Sequence, residues 1–222
     1  KQVNNMRKTC KNRGGPNPNY IPITTGIQLW QDFADTSTIT TGATLTITDR
    51  SGKGNTATET TNQPATGTRT LNTKNVLDFD GANDVVSISA DSSIDNIFDG
   101  GGTVMAVILP DSDGEGDLGR IFDKTSAGSG PRLYLQGEAA GVAQAVVSNS
   151  RSTTQGRWET TASTVTIGVG NIITVTYDGS STSNNPVIRV NGASEALTEN
   201  STPAGTLGDD SGSDLQIGND SG

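Results

Sequence analysis

Residues 172–179 read Ile172-Ile173-Thr174-Val175-Thr176-Tyr177-Asp178-Gly179, and this stretch decides the fold class. Ile173, Val175 and Tyr177 fall on one side of an extended backbone and Thr174 and Thr176 on the other. That period of two is what a half-buried β-strand requires. Asp178-Gly179 then supplies the turn chemistry that ends it. The signature recurs on either side. Ile188 and Val190 oppose Arg189 and Asn191, and Asn191-Gly192 suits a tight hairpin. Leu133 and Leu135 oppose Arg132, Tyr134 and Gln136.

Short apolar runs between Gly, Asn, Asp and Ser turns extend the pattern to strands at 27–33, 43–48, 76–80, 85–90, 103–109, 120–123 and 132–136. Others follow at 142–148, 164–169, 172–177, 187–191 and 215–218. Val104-Met105-Ala106-Val107-Ile108-Leu109 is apolar without interruption, so a central strand covered on both faces is expected there. A single helical turn is expected at 92–98, where Ile94, Ile97 and Phe98 share a face behind Asp91 or Ser92 as a cap. The sum predicts an all-β chain: a two-sheet antiparallel jelly-roll sandwich over residues 23–222, preceded by an extended arm over residues 1–22.

Composition narrows the function. Of the 222 residues, 15 are Lys or Arg and 24 are Asp or Glu, a formal charge of −9. The basic residues are unevenly placed. Lys1, Arg7, Lys8, Lys11 and Arg13 put five into the first fifteen positions with no acid, leaving ten basic against 24 acidic residues in the rest. Residues 1–22 also hold Gly14-Gly15-Pro16-Asn17-Pro18 and Pro22 and show no apolar period. They read as an extended arm, either a solvated terminus or a strap carrying Arg7, Lys8, Lys11 and Arg13 onto an acidic neighbouring surface, such as another copy of the chain. Nucleic acid is a poor partner, because the acidic body repels phosphate. No apolar run is long enough for a membrane helix. The absence of His excludes Ser-His-Asp and Cys-His catalysis and His-ligated zinc. Cys10 is the sole cysteine, so no intrachain disulfide forms within these residues. The stretch from Lys1 shows no basic-then-apolar leader, which fits a processed product or a piece of a longer chain.

Three segments in order resemble the laminin-G-like branch of the concanavalin A-like lectin/glucanase superfamily. They are Ile27-Gln28-Leu29-Trp30 with Asp49-Arg50-Ser51-Gly52-Lys53-Gly54-Asn55, then Val76-Leu77-Asp78-Phe79-Asp80-Gly81-Ala82-Asn83-Asp84-Val85-Val86. The last comprises residues 172–179, residues 187–192 and Leu215-Gln216-Ile217-Gly218-Asn219. The resemblance implies a fold and not a ligand. It also implies a further strand after the Ile-Gly-Asn segment, so either the sequence is incomplete or residues 215–218 lie at an open sheet edge covered by a neighbour or by the arm.

Candidate sites follow. The superfamily's retaining β-glucanases carry Glu-x-Asp-x-Glu on one strand. Glu115-Gly116-Asp117-Leu118-Gly119 is the nearest match and lacks the second Glu, so no catalysis is expected. Asp111, Asp113, Glu115 and Asp117 alternate around Gly114 and Gly116 like the start of a calcium loop; a solvated acidic hairpin is the competing reading. Asp49-x-Ser51-x-Lys53-x-Asn55 reads as an Asx-type turn. Trp158, beside Arg157, is the one aromatic in a polar setting; packing over a loop or a subunit contact is its leading reading, and a platform for a sugar is the candidate binding role. The expected function is a non-catalytic display module on a virion surface or otherwise outside a cell: a phage-type capsid decoration, fibre or tail-associated domain that assembles as a homo-oligomer or with neighbouring virion proteins and binds surface glycans. The alternatives are a secreted bacterial carbohydrate-binding or adhesion module and, third, a glycoside hydrolase.

Overall fold

The computed structural model describes residues 26–219. Its strands are β1 (Ile39–Thr40), β2 (Leu45–Ile47), β3 (Ala57–Glu59), β4 (Ala65–Leu71), β5 (Lys74–Asp78), β6 (Val85–Ile88), β7 (Gly102–Ile108), β8 (Gly119–Asp123) and β9 (Pro131–Ala139). Next come β10 (Val142–Asn149), β11 (Gly156–Thr160), β12 (Val165–Thr166), β13 (Asn171–Tyr177), β14 (Val187–Val190), β15 (Ala193–Ser194), β16 (Leu197–Ser201) and β17 (Leu215–Gly218). The large sheet runs β1-β2-β3-β6-β17-β8-β9-β10-β11-β16, with β12 beside β10. The small sheet runs β15-β14-β13-β7, and β4–β5 form a separate hairpin. Neighbours pair antiparallel, as the alternation predicted, and neither sheet is closed.

The apolar sides of the two sheets meet in one core. Ile173, Val175 and Tyr177 of β13 and Ile188 and Val190 of β14 pack in the same cluster as Leu45, Ile47, Leu133, Leu135 and Val147 of the large sheet. Phe98 stands edge-on to Tyr177 with ring centres 5.6 Å apart, and Trp158 lies 5.2 Å from the same ring. The β14–β15 hairpin turns on Asn191 (φ +52°) and Gly192 (φ +87°), two positive-φ residues whose twist matches the flanking strands.

Four expectations are corrected. Residues 27–33 form no strand: Leu29 and Phe33 pack against the core, but Trp30 is held by the Asp49 side chain and by the Arg50 N–H, not by a ladder. Residues 92–98 form hydrogen-bonded turns, not a helix, although Asp91 caps them by accepting from Ser93 N–H. The apolar run at 103–109 is not central. It becomes β7, the terminal strand of the small sheet, with Met105 68% and Val107 61% exposed. The continuously covered strand is instead the second half of β10, residues 145–149. Finally, β17 is no open edge, because it lies between β6 and β8 and is paired on both sides.

Asp49 ties the irregular segment down. It accepts from Trp30 N–H (2.9 Å), Ser51 N–H (2.9 Å), Ser51 Oγ–H (2.6 Å) and Asn55 N–H (3.0 Å), and its bond to Ser51 is the expected Asx turn. Burial by itself raises this carboxyl, but the Ser51, Trp30 and Asn55 bonds outweigh it and hold it below the ordinary carboxylate value. Its folded pKa is therefore lower than its unfolded one. The stabilisation is present above the unfolded value of 3.8 and is lost as pH falls through the folded one. Asp49→Asn is expected to lower the unfolding free energy at pH 7 by about 1–2 kcal/mol. In urea melts the gap to the wild type should close as pH drops below 3.8.

Candidate functional site

The structure separates the four carboxylates of the acidic loop into different settings. Asp111 is drawn away by Arg69 of β4, whose Nη1 and Nη2 donate to it at 2.6 and 2.5 Å. Asp113 is buried and accepts from Glu138 N–H at 2.7 Å. Asp117 hydrogen-bonds with Asp113, and that contact, with the repulsion between the two carboxylates, holds Asp117 above its ordinary value. Glu115 sits in an exposed 3-10 turn. Among the described residues no three His, Cys, Asp or Glu side chains converge as a metal site; Asp111 and Asp113 are engaged by Arg69 and by Glu138 N–H, while Glu115 and Asp117 stay exposed.

Trp158 is likewise no platform. It is 1% exposed in β11 and packs on Tyr177, with Nε1–H donating to Asn185 Oδ1 at 3.0 Å. The polar letters around it misled because β11 alternates: Arg157 and Glu159 face outward and Trp158 faces the core. Arg157 is also committed, donating to Tyr134 Oη (2.9 Å) and Gln136 Oε1 (2.6 Å). The basic residues Arg7, Lys8, Lys11 and Arg13 lie outside the described residues.

Two features went unread in the sequence. The first is Lys124, just past β8 and fully buried. Its Nζ lies 3.2 Å from Asp95 Oδ1 and 3.2 Å from Asp210 Oδ1, and donates to the carbonyls of Asp210 (3.2 Å) and Ser213 (2.9 Å). Burial pushes the Asp210 carboxyl above its ordinary value, against the pull of Asn96 N–H and of Lys124. A lysine ending a strand gives no sequence signal of this, since its partners lie 29 and 86 residues away.

The second is a cleft of about 590 Å³ lined by Asp99, Arg151, residues 179–182 and residues 205–207. Arg151 ties its lining together, with Nη1 donating to Gly205 O (3.0 Å) and Nη2 to Gly179 O (2.5 Å) and Ser181 O (3.3 Å). One guanidinium thus fixes the loop after β13 to the loop after β16. Gly179 is closely packed, since a Cβ there would meet the Leu207 side chain and the Phe98 carbonyl at 3.0–3.1 Å and push them back by a few tenths of an ångström. The Asp99 carboxylate and the hydroxyls of Ser180, Thr182 and Thr206 line the walls, with Leu207 beside them. This is a set of donors and acceptors for a polar, hydroxyl-rich ligand, with no paired carboxylates at glycosidase geometry inside it.

No protein-family model matches the chain, and neither a curated protein nor a solved structure is detectably similar to it.

Removing the buried ammonium leaves Asp95 and Asp210 facing each other without a cation. Lys124→Met is expected to cost about 3–5 kcal/mol in denaturant melts at pH 7. Adding Asp210→Asn should recover part of that loss.

Proposed function

We propose that this chain is a non-catalytic display module of an extracellular particle, a laminin-G-like jelly-roll sandwich of the kind resembled by its sequence. In this reading it is a phage-type virion protein (capsid decoration, fibre or tail-associated) whose copies are joined through residues 1–22. The observation that carries the proposal is the use made of its acids. Asp49, Asp80 and Asp113 accept backbone N–H groups, Asp123 is buried between Arg120, Arg132 and Thr125, and Asp210 helps hold Lys124. Carboxylates engaged this way lock loops and are not free to exchange protons with a substrate. Opposite charges on the first fifteen residues and on the remainder favour contact between copies.

Replacing Arg7, Lys8, Lys11 and Arg13 with Glu tests the assembly. Native mass spectrometry at low salt is expected to show oligomers of the wild type that dissociate at least tenfold more readily in the variant. Identical masses for the two, or turnover of any member of a polysaccharide panel by the wild type, would overturn the reading.

The cleft favours a second reading, a secreted carbohydrate-binding or adhesion module. Asp99, which lines the cleft, is the residue that tests it. If this reading holds, a glycan array gives binding that Asp99→Asn weakens at least tenfold, about 1.4 kcal/mol. Binding that survives the substitution removes the cleft from consideration.

A further inference from the structure

The outer faces of the two sheets differ in kind. On the large sheet, polar side chains of β9, β10 and β11 are paired: Arg157 donates to Tyr134 and Gln136, Gln136 to Glu159, and Gln144 to the Thr160 carbonyl. On the small sheet the outward rows are Thr103, Met105 and Val107 of β7, Ile172, Thr174 and Thr176 of β13, and Val187 and Arg189 of β14. Among the described residues six large apolar side chains are exposed, and Met105, Val107, Ile172 and Val187 are four of them. Scattered exposure of this kind is ordinary, but concentration on one face marks a contact surface.

The margin of that face is equally unprotected. β7 ends the small sheet, and among the described residues no strand lies beside its other edge. Soluble proteins blunt such edges with charge, proline or a bulge. Gly102-Thr103-Val104-Met105-Ala106-Val107-Ile108 has no charge and no proline, and it pairs with β13 without a register shift.

We propose that the occupant of this edge is β7 of a second copy, joined antiparallel about a two-fold axis at Met105, so that two small sheets become one eight-stranded sheet. An unpaired edge asks for a strand with an unpaired edge, and a second copy supplies the same one. In this register Met105 faces the partner's Met105, and Thr103 faces the partner's Val107, all on the apolar face. Local charge leaves this approach open. Each chain carries −9, and the outward row of β7 has no acid, so two like-charged molecules meet here without opposing carboxylates. The chain's own residues 1–25 fit the edge poorly: Pro16, Pro18 and Pro22 lack the N–H a ladder needs, and their basic neighbours find no acid in this row. The inference deepens the assembly reading, on which it rests for the association of copies.

Cross-linking tests the register. Across an antiparallel join the two central Cα atoms come about 4.5–5.5 Å apart, within disulfide reach. Thr174, one strand further in, would stand three strand spacings from its mate, about 14 Å, and out of reach. In a Cys10→Ser chain, mild oxidation is expected to convert most of a Met105→Cys protein to covalent dimer and leave a Thr174→Cys protein monomeric. In sedimentation velocity from about 1 µM to 1 mM, Met105→Lys should weaken dimerisation at least tenfold. Equal cross-linking at both positions, or at neither, overturns the edge join. Oligomers that survive Met105→Lys but fall apart in the Arg7, Lys8, Lys11 and Arg13 charge swap overturn the edge alone and leave the assembly reading standing. A wild type that is monomeric throughout ends both.

Discussion

Lys124 is fully buried, and four oxygens surround its Nζ: two carboxylates and two backbone carbonyls. Leaving a buried ammonium unpaired costs several kcal/mol, so the chain segments that supply these oxygens are held together or not formed at all. The segments are the turns at 92–99, the start of the loop after β8, and residues 209–214. Residues 209–214 lead straight into β17, and Asp214 at their end also accepts from Ala90 N–H beside β6. The clamp therefore sets where β17 enters the large sheet. In hydrogen-bond order β17 is the link between β1-β2-β3-β6 and β8-β9-β10-β11-β16. Remove it and the sheet is two sheets. Gly218 completes the fit, since a Cβ there would press into the Phe79 ring at 2.5 Å.

The same clamp reaches the cleft. Asp99 follows the turns that Lys124 and Asn96 pin to Asp210, and Leu207 precedes the pinned segment by a few residues. Arg151 then fixes the two remaining walls through their carbonyls. The cleft is thus walled by loops that are individually irregular yet each tied by a charge-assisted hydrogen bond, which is how loops without secondary structure keep a shape. Scaffold stability and site geometry share one source here.

Charge and grease are sorted between the two sheet faces in a way that composition hides. The large sheet offers water a network of paired polar groups, while the small sheet offers apolar side chains beside an uncapped edge. Both surfaces come from strands with the same alternating pattern. What separates them is which polar side chains the sheet order brings within reach, as Arg157 and Glu159 of β11 bond Gln136 of β9 across the intervening β10, and that order is a property of pairing and not of one strand.

The alternation in residues 172–177 and 187–190 determined by itself which side chains enter the core, because period two is a local property that any extended backbone obeys. Turn chemistry was local as well: Asp49-Arg50-Ser51 and Asn191-Gly192 fold as their letters say. Strands short of apolar residues, such as β4 and β16, left no such mark and went unread. Position within a sheet was also beyond local reading. Residues 103–109 look like a buried centre and form an edge, residues 215–218 look like an edge and form a centre, and Trp158 looks exposed among polar neighbours and is buried. In each case the outcome was decided by partners far along the chain, as with Lys124 and Asp210. A strand's neighbours and a charge's counter-ion are fixed only when distant segments meet, so they belong to the tertiary structure alone.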